Sequence, residues 1–165
     1  MKKVLVLLLV LALTSCYRFL IVDVGEAKTY AVSGFQDLSL QANPDYISDF
    51  EIGLADFIRE NTRLIEVPLD ENPDLEFTGS IKKYSFEEQE INANDQAQGN
   101  KFVIALQVTC INHLNDTKGW KQQFLENLDL AEGEFPPSDA VEQESYEELN
   151  ERFNTAIFNR SFSDW

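Results

Sequence analysis

Cys110, His113 and Asp116 stand three residues apart in the stretch TCINHLND, and a thiol, an imidazole and a carboxylate in one segment are the ingredients of a metal site or an activated nucleophile. The segment around them reads as a strand, however, and on a strand residues i and i+3 point to opposite faces, so the three side chains cannot converge. His113 is the single histidine of the chain, which removes His-rich zinc centres and leaves imidazole catalysis one position. It reads as a surface histidine near a strand end, and Cys110 as a small buried apolar side chain. A second cluster, Glu87, Glu88 and Glu90 with Asn94 and Asp95, offers oxygen ligands to calcium. It lacks the Asp-x-Asp-x-Asp-Gly register and the late bidentate glutamate that hold the ion. There is no Gly-rich phosphate loop and no Gly-x-Ser-x-Gly elbow. The 29 acidic residues allow many carboxylate pairs and single out none, so a hydrolase ranks third among the readings. The expectation is a protein without catalytic residues, metal ligands or cofactor.

Charge and composition narrow the partners. Lysine and arginine number 13 against 29 acids, a formal charge of −16, and a body this acidic cannot hold a polyphosphate chain by counterion release, so nucleic acid is not an expected partner. With 44% apolar and 12% aromatic residues in 165, the composition is that of one folded domain.

The start of the chain offers a different chemistry. Met1-Lys2-Lys3 is cationic, Val4 to Leu13 carries no polar residue, and Thr14-Ser15 leads into Cys16. Ten apolar residues rise about 15 Å as a helix, half of a ~30 Å hydrocarbon core, so the stretch reads as a secretory leader and not as a span. Leu13-Thr14-Ser15-Cys16 resembles a bacterial lipobox, which implies cleavage between Ser15 and Cys16 and acylation of the Cys16 thiol. A single acyl chain binds a bilayer marginally, whereas several hold firmly. Tyr17 stands where enteric lipoproteins retained at the inner membrane carry aspartate, which by analogy points to the outer membrane. The expected organisation is a leader over 1–15, an acylated N-terminus and linker over 16–27, and a single α+β domain over 28–165.

Within that domain the patterns alternate between periods. Lys28 to Phe35 reads as a strand. Asn43-Pro44 opens a helix whose buried face is Ile47, Phe50, Leu54, Phe57 and Ile58, running to about Asn61. Arg63 to Val67 is a short strand, and Asp70 to Asp74 an acidic connector. Three longer strands follow, Leu75 to Glu90, Lys101 to Leu114 and Trp120 to Leu130, with Ile91 to Asn100 linking the first two. The turn Asn115 to Gly119 predicts a hairpin pairing Leu114 with Trp120, Cys110 with Phe124 and Leu106 with Leu128. Ser138 or Asp139 caps a last helix that buries Tyr146, Leu149, Phe153, Ala156 and Ile157 and leaves Glu142, Glu144, Glu147, Glu148 and Glu151 in water. Two amphipathic helices and one apolar sheet face predict a two-layer α+β sandwich, with both helices on one face of a four- to five-stranded mixed, largely antiparallel sheet.

Taken in order, Ser15-Cys16-Tyr17, GEAKTYAV (Gly25 to Val32), Asn43-Pro44, Asn61-Thr62-Arg63-Leu64, LEFTGSIKKY (Leu75 to Tyr84) and the terminal FNRSFSDW make a set that resembles the LptE family of lipopolysaccharide-assembly lipoproteins, in its Bacteroidetes-type form. The resemblance implies a non-catalytic two-layer domain, lipid-anchored at the periplasmic face of the outer membrane, that plugs the LptD β-barrel and helps it deliver lipopolysaccharide. The chain departs from the family pattern in RFLIVDVG (Arg18 to Gly25) and in the SFEEQE that follows Tyr84.

Strict alternation gives the second sheet face Thr78, Ser80, Lys82, Tyr84 and Phe86, then Val103, Ala105, Gln107, Thr109, Ile111 and His113, then Lys121, Gln123, Leu125 and Asn127. Tyr84, Phe86, Val103, Ile111 and Leu125 would then be partly exposed as a partner surface, unless a loop or the segment Phe19 to Val22 covers them. For a direct contact with anionic lipopolysaccharide, Lys82 or Lys83 is the first candidate, with Lys101 and Lys121 weaker; Lys101 is expected to pair with Glu90. The alternative to the barrel partner is a binding or scaffold module of envelope assembly on the same periplasm-facing lipoprotein plan.

Overall fold

The computed structural model describes residue 22 and residues 24–87, 100–130 and 137–163. The leader, Ser15, Cys16, most of the linker, Glu90 and the link over 91–99 lie outside the described residues. The strands are β1 (Thr29–Val32), β2 (Gln36–Asp37), β3 (Ile65–Glu66), β4 (Leu75–Glu87), β5 (Lys101–Asn112) and β6 (Trp120–Asp129); the helices are α1 (Tyr46–Asn61), between β2 and β3, and α2 (Asp139–Phe162), after β6. The sheet order is β3-β1-β4-β5-β6, with β2 pairing β4 beyond β1. β1 runs parallel to β3 and β4, β2 runs parallel to β4, and β4, β5 and β6 are antiparallel neighbours, so the sheet is mixed.

The four-residue spacing of Tyr46, Phe50, Leu54 and Ile58 puts them on one face of α1, and these side chains are at most 1% exposed. Ile47 and Phe57, assigned to that stripe above, are only half-buried, and Tyr46 takes the central place. Asn43-Pro44 forms the turn before the helix: Asn43 Oδ1 accepts from Asp45 N at 3.1 Å, and its carbonyl accepts from Tyr46 N at 3.0 Å. In α2 the row Tyr146, Leu149, Phe153 and Ile157 is buried. Rings pair Tyr46 with Tyr146 at 5.4 Å and Phe57 with Phe158 at 5.5 Å, early residue with early and late with late, so α1 and α2 run in the same direction. Both pack on one sheet face, over Phe77, Ile81, Phe102, Ile104, Leu106 and Val108.

Two backbone details set which residues reach that core. The β4–β5 register pairs Ile81 with Leu106 and then Lys83 with Ala105, leaving Lys82 as an extra residue in a bulge. A bulge reverses the facing of everything after it. Tyr84 and Phe86, expected on the outer face, therefore turn inward: Tyr84 is 2% exposed and Phe86 packs half-buried on the core. Gly79 supports the same pairing, because a Cβ there would lie 2.2 Å from the Gln107 carbonyl oxygen and 2.8 Å from the Phe35 ring.

The hairpin register also differs from expectation. The observed pairs are Cys110 with Trp120, Leu106 with Phe124 and Phe102 with Leu128. Asn112 ends β5 early, its Oδ1 accepting from Leu114 N at 3.0 Å and Asn115 N at 2.8 Å, and a 3-10 turn over Asp116–Lys118 lengthens the connection. The shift is even, so each residue keeps its face.

Candidate interaction surface

Below the bulge, β4 presents Glu76, Thr78 and Ser80 outward, and above it Lys83, Ser85 and Glu87; β5 adds Val103, Ala105, Gln107, Thr109 and Ile111, and β6 adds Lys121, Gln123, Leu125 and Asn127. The helices contact the sheet from its other side, and among the described residues no helix or strand lies over this face. Ile111 is 37% and Leu125 58% exposed there. Val103, expected to be exposed, is buried although it points outward. It is a short side chain on the central strand, closed in by its register partners Ser85 and Asn127, as Ala105 is by Lys83 and Leu125. Of the six residues expected to meet a partner, Ile111 and Leu125 are exposed on this face, Lys82 is exposed at the bulge, and Tyr84, Phe86 and Val103 are not available.

The electrostatics of the face are unlike those of the rest of the chain. Each of its carboxylates has a partner: Glu87 Oε1 meets Lys83 Nζ at 2.5 Å, Asp129 Oδ1 lies 3.8 Å from Lys101 Nζ, and Glu76 Oε2 lies 3.2 Å from the His113 ring nitrogen Nε2. Lys83 beside Glu87 holds that carboxyl below its usual range. The remaining positions are neutral except for Lys121. The excess acid of the protein is carried elsewhere, part of it on α2, whose Glu144, Glu147, Glu148 and Glu151 are exposed. Glu142, expected beside them in water, is half-buried because it accepts the Tyr84 hydroxyl.

The residues with reactive side chains do not assemble. Cys110 faces the core, where burial pushes its thiol up to about 12, and His113 turns outward to Glu76. Asp116 sits in the exposed 3-10 turn. On the core side, Tyr84 donates to Glu142 Oε1 at 2.5 Å and Tyr146 to Asp49 Oδ2 at 2.8 Å; burial first, and the neighbouring carboxylates second, hold both phenols well above their usual range. Tyr30 donates to the Ala55 carbonyl at 2.7 Å, its hydroxyl pushed up to about 12 chiefly by burial. These are clamps between layers.

At the start of β1 and β3, a cleft of about 560 Å³ is lined by Val22, Val24, Ala27 and Ile65 with Lys28 and Arg63. Sequence reading treated Lys28 and Arg63 only as strand openings. The signal available was that Lys28 directly precedes β1 and Arg63 stands two residues before β3, and two parallel strands place their starts side by side.

No protein-family model matches the sequence, and no curated protein matches it. The fold is shared with solved bacterial structures. It is similar to a PelC dodecamer from Paraburkholderia phytofirmans (TM-score 0.53, 11% identity, 85% of this chain and 90% of that one). It is likewise similar to the uncharacterized lipoprotein B from Nitrosomonas europaea (TM-score 0.51, 12% identity, 79% of each chain). The architecture is thus one that bacterial lipoproteins use. No helix among the described residues is long and apolar enough to cross a membrane.

Proposed function

We propose that the chain is an outer-membrane lipoprotein of the LptE kind, tethered through acylated Cys16, whose open sheet face seats against the wall of an LptD-type β-barrel. In this reading it works by fit: it holds the barrel in its assembled form for lipopolysaccharide delivery and transforms no substrate. The observation that carries the reading is the charge balance of the open face. On a protein of formal charge −16, the sheet face that no helix covers among the described residues has its three acids balanced by Lys83, Lys101 and Lys121 and carries exposed Ile111 and Leu125 among threonine, serine, glutamine and asparagine. Depletion of unpaired charge around a few apolar anchors is the composition of an interface core. The fold shared with bacterial lipoproteins and the LTSC sequence at residues 13–16 support the tether.

The test is recovery of a barrel with the solubilised protein. The double variant Ile111→Glu, Leu125→Glu adds two carboxylates to a face that has none unpaired, and both sites are exposed enough to leave the fold intact. Recovery of a large outer-membrane barrel is expected to fall by at least about tenfold, the equivalent of about 1.4 kcal/mol. Unchanged recovery contradicts the reading. A second reading is a scaffold module acting through copies of itself, and the PelC neighbour is a dodecamer by name. Purification as a homo-oligomer without a barrel would favour it.

A further inference from the structure

We propose that the cleft at the starts of β1 and β3 binds the phosphate headgroup of an anionic glycerophospholipid from the leaflet that holds the tether. This rests on the acylated Cys16 of the preceding section. The ligand chemistry follows from the lining. Lys28 and Arg63 are two of only 13 basic residues in the chain, and no acidic residue among those described lines the cleft. Neither cation is held in an ion pair among the described residues. The nearby carboxylate, Asp74, accepts from the backbone N–H groups of Lys28 at 2.7 Å and Thr29 at 3.1 Å and feels the Lys28 charge without forming an ion pair with it. Beside the two cations lie the apolar walls of Val22, Val24, Ala27 and Ile65, with Ile65 64% exposed. Two unpaired cations at the rim of an apolar cleft match a ligand with an anionic head and a hydrocarbon beginning.

Size and position select the source. A cleft of about 560 Å³ holds a ligand of drug-like dimensions, which suits one glycerophosphate head with its first methylenes. Val22 on the cleft wall is six residues from Cys16, and six extended residues span at most about 20 Å, so the cleft cannot stray far from the headgroup layer once the thiol is acylated. The strongly acidic α2 surface is repelled by an anionic leaflet, and a basic cleft at the tethered end would orient the body with that surface away from the membrane.

The probe is dihexanoyl phosphatidylglycerol, added below its micelle concentration to the Cys16→Ala chain and followed by chemical shifts. Shifts are expected to concentrate at Val24, Ala27 and Ile65. An exposed ion pair to the phosphate contributes up to about fivefold in affinity, so the variant Lys28→Ala, Arg63→Ala should bind up to about thirtyfold more weakly, whereas Lys121→Ala on the sheet face should bind as the parent does. Equal binding of dihexanoyl phosphatidylcholine or of inorganic phosphate overturns the proposal, as does indifference to the double variant. The titrated chain carries no acyl group, so failure of the tether is read separately, from the mass of native Cys16.

Discussion

Tyr84 on β4 donates its hydroxyl to Glu142 on α2 at 2.5 Å, reaching across the core from a strand position that uninterrupted alternation would aim at the opposite face. The Lys82 bulge is what turns it. The same ring packs against Tyr46 at 5.2 Å and Phe102 at 4.9 Å, so one irregular residue brings together the sheet and the first turns of both helices.

Deleting Lys82 should therefore be tolerated better than loss of the Tyr84 ring, because without the extra residue Ile81, Lys83 and Tyr84 alternate regularly and Tyr84 still faces the core opposite Ile104. Tyr84→Ala removes the buried ring and should cost about 3–5 kcal/mol. Tyr84→Phe removes only the hydroxyl and should cost about 1–2 kcal/mol. Urea unfolding of the three variants checks the order; a Lys82 deletion as damaging as Tyr84→Ala would mean that Lys82 is not an extra residue in the ladder.

The helices, the long strands and the two-layer plan are legible in the sequence because each rests on a repeated period. What is not legible rests on single residues. The pair Lys82-Lys83 between Ile81 and Tyr84 is the trace of the bulge: apolar residues three apart in a strand cannot share a face unless one residue is extra. The β5–β6 register was ambiguous because Leu106, Cys110 and Leu114 match β6 equally well in steps of two, and only the Asn112 side chain, by capping the loop, decides it. Of the partner surface, Ile111 and Leu125 are readable by alternation. The pairing of its acids with distant partners is not, since Glu76 and His113 are 37 residues apart.

Asp74 should give the protein an acid-sensitive clasp. Backbone N–H groups of Lys28 and Thr29 lower its carboxyl pKa, so the folded state binds that proton less readily than the unfolded chain. The stabilisation is present above the ordinary carboxylate pKa and is lost as pH falls through the depressed value. Asp74→Ala is expected to lose about 1.5–3 kcal/mol at neutral pH, with the difference from the parent shrinking below pH 4 or so. Denaturation at several pH values measures this; a constant difference would contradict it.

Gly79→Ala should destabilise by about 1–3 kcal/mol, because the new methyl meets backbone at the Gln107 carbonyl and not a movable side-chain end. Thermal unfolding is the check, and a parent-like midpoint would show that β4 and β5 can part there without cost.

Cys110 should resist thiol reagents in the folded protein. It is 4% exposed, and burial holds its thiol at about 12, so alkylation near neutral pH needs an opening of the core. Labelling should be slow in buffer and complete in denaturant; prompt labelling of the folded chain would contradict this.

The central claim is that the open sheet face, and not the helical layer, meets the partner. A photo-crosslinking residue placed in living cells at Ile111 or Leu125, and for comparison at Ile52 of α1 or Val141 of α2, reads this directly, since all four positions are exposed. The account predicts adducts with one large outer-membrane barrel from Ile111 and Leu125 and none from Ile52 and Val141. Adducts from the helical positions alone, or no barrel adduct from the sheet face, would contradict it.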